Sequence, residues 1–149
     1  MLFHNVKGVP DFECHEYEEK KNKYCLCIPI INEKENITLE LHRARINKVH
    51  TLCDIIICDG GSTDGGTDDD VMEALGVNTL LTKRGAGKQG AQLRMGFYWA
   101  LKRGYEGIIT IDGNNKKITT SAVKAIRVFE NVKFQNITIM NTAAEGRCI

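Results

Sequence analysis

Four clusters of polar residues have the types and spacing to hold a charged ligand. Asn32 and Glu33 follow Pro29 at the end of an apolar run, and Asp59 opens the stretch DGGSTDGGT. Arg84 and Lys88 stand among the glycines of RGAGKQG, and Asp112 ends the run ITID. Glycines let a backbone approach a ligand and aim its amides at it. A carboxylate such as Asp59 accepts hydrogen bonds from a nucleobase N–H or from ribose hydroxyls. Taken singly, each cluster is equally a set of turn formers and helix caps. The chemistry gains weight only if the fold brings the clusters together.

The elements that would do so are legible in the pattern. Tyr24–Ile30 (YCLCIPI) is an apolar run of strand length, suited to burial on both faces. Asn32 then caps a helix, with Glu35 in capping-box position and Ile37, Leu41, Ala44 and Val49 giving it an apolar stripe. Asp54–Asp59 (DIIICD) reads as the second strand. Thr67 caps a short helix whose first turn holds Asp68, Asp69 and Asp70, and Gly76 stops it. A third strand over 77–81 leads through the glycine-rich stretch to a helix over 88–103, burying Leu93, Gly96, Phe97, Ala100 and Leu101. Residues 107–112 form the fourth strand. A further helix over 119–129 presents Val123, Ile126 and Phe129, with one more strand and a tail after it. Residues 1–23, with a charge run from Glu16 to Lys23, read as an irregular lead-in.

Strand and helix alternating four times predict an α/β domain with a mostly parallel sheet and right-handed crossovers. Such sheets bind ligands at the carboxyl ends of their strands. Asn32 and Glu33, Asp59 and Asp112 all fall at strand ends, so they are expected to line one crevice.

The bulk properties limit the alternatives. A chain of 149 residues is the size of one domain, and a net charge of +1 supplies no global field for nucleic acid or an acidic membrane. The six cysteines include no CxxC pair. Cys25, Cys27 and Cys58 read as small hydrophobes in strands, not as zinc ligands or disulfide partners. The N-terminus lacks the pattern of a secretory signal and no apolar run is long enough to span a bilayer. The expected compartment is the reducing cytoplasm, with the sequons at Asn36 and Asn136 as chance matches. His4, His15, His42 and His50 stand apart and read as structural or surface residues, and Tyr98 and Trp99 as packing residues.

Taken in order, IPIINEKENI, DIIICDGGSTDGGT, RGAGKQGAQLRMGFYWA and ITID resemble the four successive landmarks of family 2 glycosyltransferases. They are similar in particular to the dolichyl-phosphate mannosyltransferase-like branch. The likeness covers about residues 24–118. It implies a Rossmann-like sheet, the nucleotide-sugar-binding half of the GT-A fold, and transfer of a hexose from a nucleotide-diphosphate sugar. For that branch it implies a polyprenyl or dolichyl phosphate as acceptor, at the cytoplasmic face of a membrane. Carried over by position, Pro29, Asn32 and Glu33 belong to the first donor-binding segment, with Glu33 near base or ribose. Asp59 contacts the base, while Gly61, Ser62 and Asp64 shape its loop. Arg84 and Lys88 lie near the diphosphate. Asp112, with Asn114, holds a divalent metal, Mg²⁺ or Mn²⁺, that neutralises the departing diphosphate.

Departures from the family pattern are as informative. The second Asp of the loop is Gly60, and the acidic end of Asp-x-Asp is Asn114, so the element reads Asp-Gly-Asn-Asn. An amide oxygen ligates Mg²⁺ but brings no charge. Lys116 and Lys117 follow closely and could supply part of the missing charge balance. After residue 130 no acceptor motif is seen, the acceptor half is missing from the pattern, and no catalytic base is assigned. Two alternatives stand beside the transferase: a non-catalytic or truncated nucleotide-sugar-binding module, and an NAD(P)-binding oxidoreductase. The latter rests on Gly85–Gly90 as a formal G-x-G-x-x-G with Asp112 further on.

Overall fold

The computed structural model describes residues 1–111 and 118–135. It is an α/β structure: one six-stranded, mostly parallel sheet with helices on both faces. The strands are β1 (Leu2–Phe3), β2 (Phe12–Glu16), β3 (Tyr24–Ile30), β4 (Asp54–Asp59), β5 (Thr79–Lys83) and β6 (Gly107–Thr110). Their spatial order is β1-β2-β5-β4-β3-β6. β3, β4, β5 and β6 are parallel, and β1 and β2 run antiparallel at one edge. The chain steps outward from β3 through β4 to β5, then crosses back to place β6 on the other side of β3. The strand order therefore reverses at β3, where α/β sheets open a crevice beyond their carboxyl ends.

β3 and β4 occupy the residues that their apolar runs predict, and every residue of both is buried. The lead-in is not irregular throughout. In β2, Phe12 and Cys14 turn inward while Glu13, His15 and Glu16 remain more exposed. That is the period-2 alternation of a strand with one covered face. Neighbouring charges obscure it in the sequence. β5 begins two residues later than expected, because Asn78 serves the junction: its side-chain oxygen accepts Ile55 N–H at 2.9 Å and its carbonyl accepts Tyr17 N–H at 2.8 Å.

The helices are α1 (Lys34–Ile46), α2 (Asp69–Ala74), α3 (Gln89–Lys102) and α4 (Ile118–Gln135). Ile37, Leu41 and Ala44 bury the face of α1 as their spacing predicts. The helix stops at Ile46, and Val49 is buried from a separate 3-10 turn entered through Lys48 at φ 59°. Gly76, at φ 77°, ends the segment after α2 in the left-handed conformation expected of it. α4 continues to Gln135, so residues 131–135 extend a helix, and the rest of the strand and tail expected after residue 130 lies outside the described residues.

The buried face of α3 is corrected in part: Gly96 and Ala100 are buried as expected, Leu93, Phe97 and Leu101 are not. It consists of Ala91, Gln92, Met95, Gly96, Trp99 and Ala100. Leu93 and Phe97 are half-buried and Leu101 is 57% exposed. Small residues decide the choice of face. A methyl group on Gly96 would come within 2.6 Å of Cys58 Sγ, so the glycine lets α3 settle directly on β4.

Two apolar layers result. α1, α2 and α4 cover one face around Leu26, Ile28, Ile57 and Met72, where Phe129 stacks on Tyr24 at 5.2 Å. α3 and the N-terminal segment cover the other around Phe12, Ile56, Met95 and Trp99, with Tyr98 packed at its margin. Cys25, Cys27 and Cys58 are buried members of these layers, as read from the sequence, and Cys14 and Cys53 are buried with them. Burial pushes the Cys14 thiol up to about 11 and that of Cys53 up to about 12. Among the described residues no helix is long and apolar enough to cross a membrane.

Candidate functional site

The carboxyl ends of β3 and β4 carry two loops that are stitched together by side chains. Asp59 is 1% exposed at the last position of β4. Its two oxygens accept Ser62 N–H at 3.0 Å each, its Oδ1 accepts the Ser62 hydroxyl at 2.5 Å, and Oδ2 accepts the Thr67 hydroxyl at 3.5 Å. The strand-end carboxylate thus folds its own loop into a compact turn. Thr67 is spent on this contact and does not cap α2, whose N-cap is Asp68.

Asn32 is equally engaged. It is not a helix cap: its backbone is left-handed at φ 48°, and Glu33 holds the N-cap position of α1 without a side-chain cap bond. The Asn32 side-chain oxygen accepts Thr63 N–H at 2.7 Å, and Asn32 N–H donates to Ser62 Oγ at 2.9 Å. Lys34 N–H then donates to Asp64 Oδ2 at 3.0 Å, while Asp64 Oδ1 accepts Gly66 N–H at 2.9 Å. These backbone donors, Gly66 first and Lys34 second, hold the Asp64 carboxyl below the usual carboxylate range. The stitching outcompetes the capping box because two loops meeting in space offer more donors than one helix end.

Beside the stitched loops lies a hollow of about 400 Å³, floored by Ile30 and Gly60 and walled by Pro29, Glu33, Lys83 and Lys88. Three of the four sequence clusters meet at this edge of the sheet. Lys88 sits at the N-cap of α3, so the amide end of the helix faces the same region. An anionic group placed there meets the Lys83 and Lys88 ammonium groups and the positive helix end, while Glu33 is suited to hydroxyl or N–H donors.

The remaining candidate residues are distributed differently. Asp59, Gly61 and Ser62 do not line this hollow but a second depression of about 590 Å³ that contains Arg84. The Arg84 guanidinium forms an ion pair with Glu13 of β2, at 3.1 and 3.3 Å, and does not share the Lys88 hollow. That pairing holds the Glu13 carboxyl below its ordinary value. Asp64 lies with Asn32 and Glu33 around a third depression, of about 530 Å³. Asp112 and Asn114, together with Lys116 and Lys117, fall outside the described residues. Among the described residues no group of three His, Cys, Asp or Glu is placed to hold a metal ion.

Several residues of the hollow are absent from the sequence-derived set, among them the polar side chains Lys83, Gln89 and Gln92. Lys83 is the last residue of β5, just before the glycine-rich stretch. Gln92 carries a signal that could have revealed it: an amide on the helix face otherwise formed by Ala91, Met95 and Trp99. No protein-family model matches the chain, and no curated protein or solved structure matches it significantly.

Proposed function

We propose that this domain binds a nucleotide-diphosphate sugar at the carboxyl edge of its sheet and serves glycosyl transfer from it. The stitching of residues 32–34 to residues 59–66 is the observation that carries the reading. Segments about thirty residues apart in sequence, matching the first two landmarks of family 2 glycosyltransferases, are joined by specific side-chain bonds. Lys88 of the third landmark stands on the adjoining hollow.

The diphosphate falls to Lys83, Lys88 and the amide end of α3, and the nucleoside to the Glu33 and Gly60 side. As the sugar leaves, negative charge gathers on the diphosphate, and fixed positive groups stabilise it. Asp112 and Asn114, hard oxygen donors, fit Mg²⁺ or Mn²⁺, and such an ion would neutralise the same charge. A lipid phosphate is the acceptor that goes with this reading. Its oxygen is already nucleophilic, so positioning matters more than a protein base.

The oxidoreductase alternative has less support. Its glycine fingerprint belongs after the strand at the reversal of strand order, which here is β3. The Gly85–Gly90 stretch follows β5 instead, two strands away. Calorimetric titration with UDP and GDP sugars and with NAD(H), each with and without Mg²⁺ or Mn²⁺, tests the assignment. Binding of one nucleotide sugar, lost in Lys88→Ala, is expected. Binding of NAD(H) alone overturns it.

A further inference from the structure

Gln92 is 5% exposed, on the sheet-facing side of α3. Its Nε2 donates to the Ile30 carbonyl at 2.8 Å and to the Cys58 carbonyl at 2.9 Å, tying the ends of β3 and β4 together. Two carbonyls accept only from the amide nitrogen, so the orientation of the group is fixed. Both N–H bonds are consumed. Among the described residues no group donates to Oε1, and the side chain lines the hollow with Lys83 and Lys88.

Gly60 explains how the amide fits there. A Cβ on Gly60 would lie 3.2 Å from Cδ, Nε2 and Oε1 of Gln92 alike, tighter than most real contacts. The loop has a glycine where the resembling family has its second Asp, and the freed volume is taken by an amide arriving from α3. A carboxylate on α3 could not stand in for it, since it would face two main-chain carbonyls without a donor. Glutamine satisfies both carbonyls and still presents an acceptor to the hollow.

We propose that Gln92 is a specificity-determining residue of this hollow. Its Oε1 accepts a hydrogen bond from a hydroxyl or ring N–H on the nucleoside portion of the ligand, while Lys83 and Lys88 take the diphosphate. This rests on the nucleotide-sugar reading above and adds the residue that discriminates among nucleosides. A neutral acceptor draws little from phosphate, which has no donor to offer it. Its contribution therefore appears in nucleoside binding and not in pyrophosphate binding.

Calorimetry on the full chain with UDP, GDP and inorganic pyrophosphate separates the possibilities. Gln92→Met keeps the volume and removes the acceptor. Gly60→Ala crowds the amide from the loop side without removing the donor of either carbonyl, so it serves if Gln92→Met does not fold. The expected result is roughly three- to tenfold weaker binding of the preferred nucleoside diphosphate, the usual worth of one neutral hydrogen bond. Pyrophosphate affinity stays unchanged, and the preference between UDP and GDP narrows. Equal losses for nucleoside diphosphate and pyrophosphate, or no loss for either, would overturn the role of Gln92 while leaving the nucleotide reading intact. A wild-type chain that binds neither UDP nor GDP overturns both.

Discussion

Replacing Gly96 by alanine tests how α3 is seated on the sheet. Two effects oppose each other. Alanine favours a helix over glycine by about 0.8–1.0 kcal/mol. The added methyl, however, would meet Cys58 Sγ at 2.6 Å, roughly 1 Å inside an ordinary non-bonded separation. Over-packing of this kind costs about 1–3 kcal/mol, so the steric term outweighs the propensity gain and Gly96→Ala should destabilise by up to about 2 kcal/mol. For a chain of this size that lowers Tm by several degrees, at about 2–4 °C per kcal/mol. The sign should change in a Cys58→Ala background. There the nearest remaining atom is Cys27 Sγ at 3.4 Å, ordinary contact, and the propensity gain survives. Urea unfolding followed by fluorescence of Trp99, the single tryptophan and a member of this core layer, measures all four corners of the cycle. A stabilising Gly96→Ala in the native background, or equal effects in both backgrounds, would refute the proposed seating. The same helix shift should also pull Gln92 from its two carbonyls, so nucleotide affinity should fall in Gly96→Ala and recover in the double variant.

Asp59→Ala leaves the Ser62 and Thr67 donors without their acceptor; a loss of about 2–3 kcal/mol is expected, together with faster proteolytic nicking within residues 60–67. Asp64 has a depressed folded value, so its contribution to stability is present above pH 3.8 and is lost as pH falls through that lower value. Urea midpoints of wild type and Asp64→Asn should accordingly differ at pH 7 and converge in strong acid; a gap that persists in acid counts against the backbone bonds as the cause. Tyr105 titrates far above its ordinary value because it is buried and donates to Asp54 at 2.7 Å. The folded state thus holds that proton more tightly, and the associated stability is complete below pH 10 and declines above it. Tyr105→Phe should show a shallower alkaline loss of stability than wild type, read from unfolding midpoints between pH 9 and 11.

The stitched loops, the hollow and the seat of α3 were legible in the sequence to different degrees. Tyr24–Ile30 and Asp54–Asp59 could be placed residue for residue, because an unbroken apolar run bounded by polar residues suits a strand buried on both faces. The α/β alternation, the apolar stripe of α1 and the stop at Gly76 followed from equally local physics. Pro29, Glu33 and Lys88 were recognised from motif order, and they do line one hollow.

Other assignments failed where a residue's best partner was distant in the chain. Asn32 and Thr67 have the composition of caps, yet Thr63 N–H claims Asn32 from the neighbouring loop and the Asp59 carboxylate holds Thr67 within its own. Arg84 follows a strand beside glycines, yet the arrival of β2 at the sheet edge gives it Glu13. The face of α3 was misjudged because hydrophobicity was weighed without distance. Gly96 and Ala100 bury more effectively than Leu101 where the helix must approach the sheet closely. Local propensity and periodicity are properties of neighbouring residues, so the sequence alone determined the alternating strands and helices from β3 onward and their order, but not β1 and β2, which the lead-in's charges obscure. Hydrogen-bond partners and packing distances depend on which elements become neighbours in space, so only the tertiary structure decided the stitching of the loops, the pairing of Arg84 and the place of Gln92 beneath Gly60.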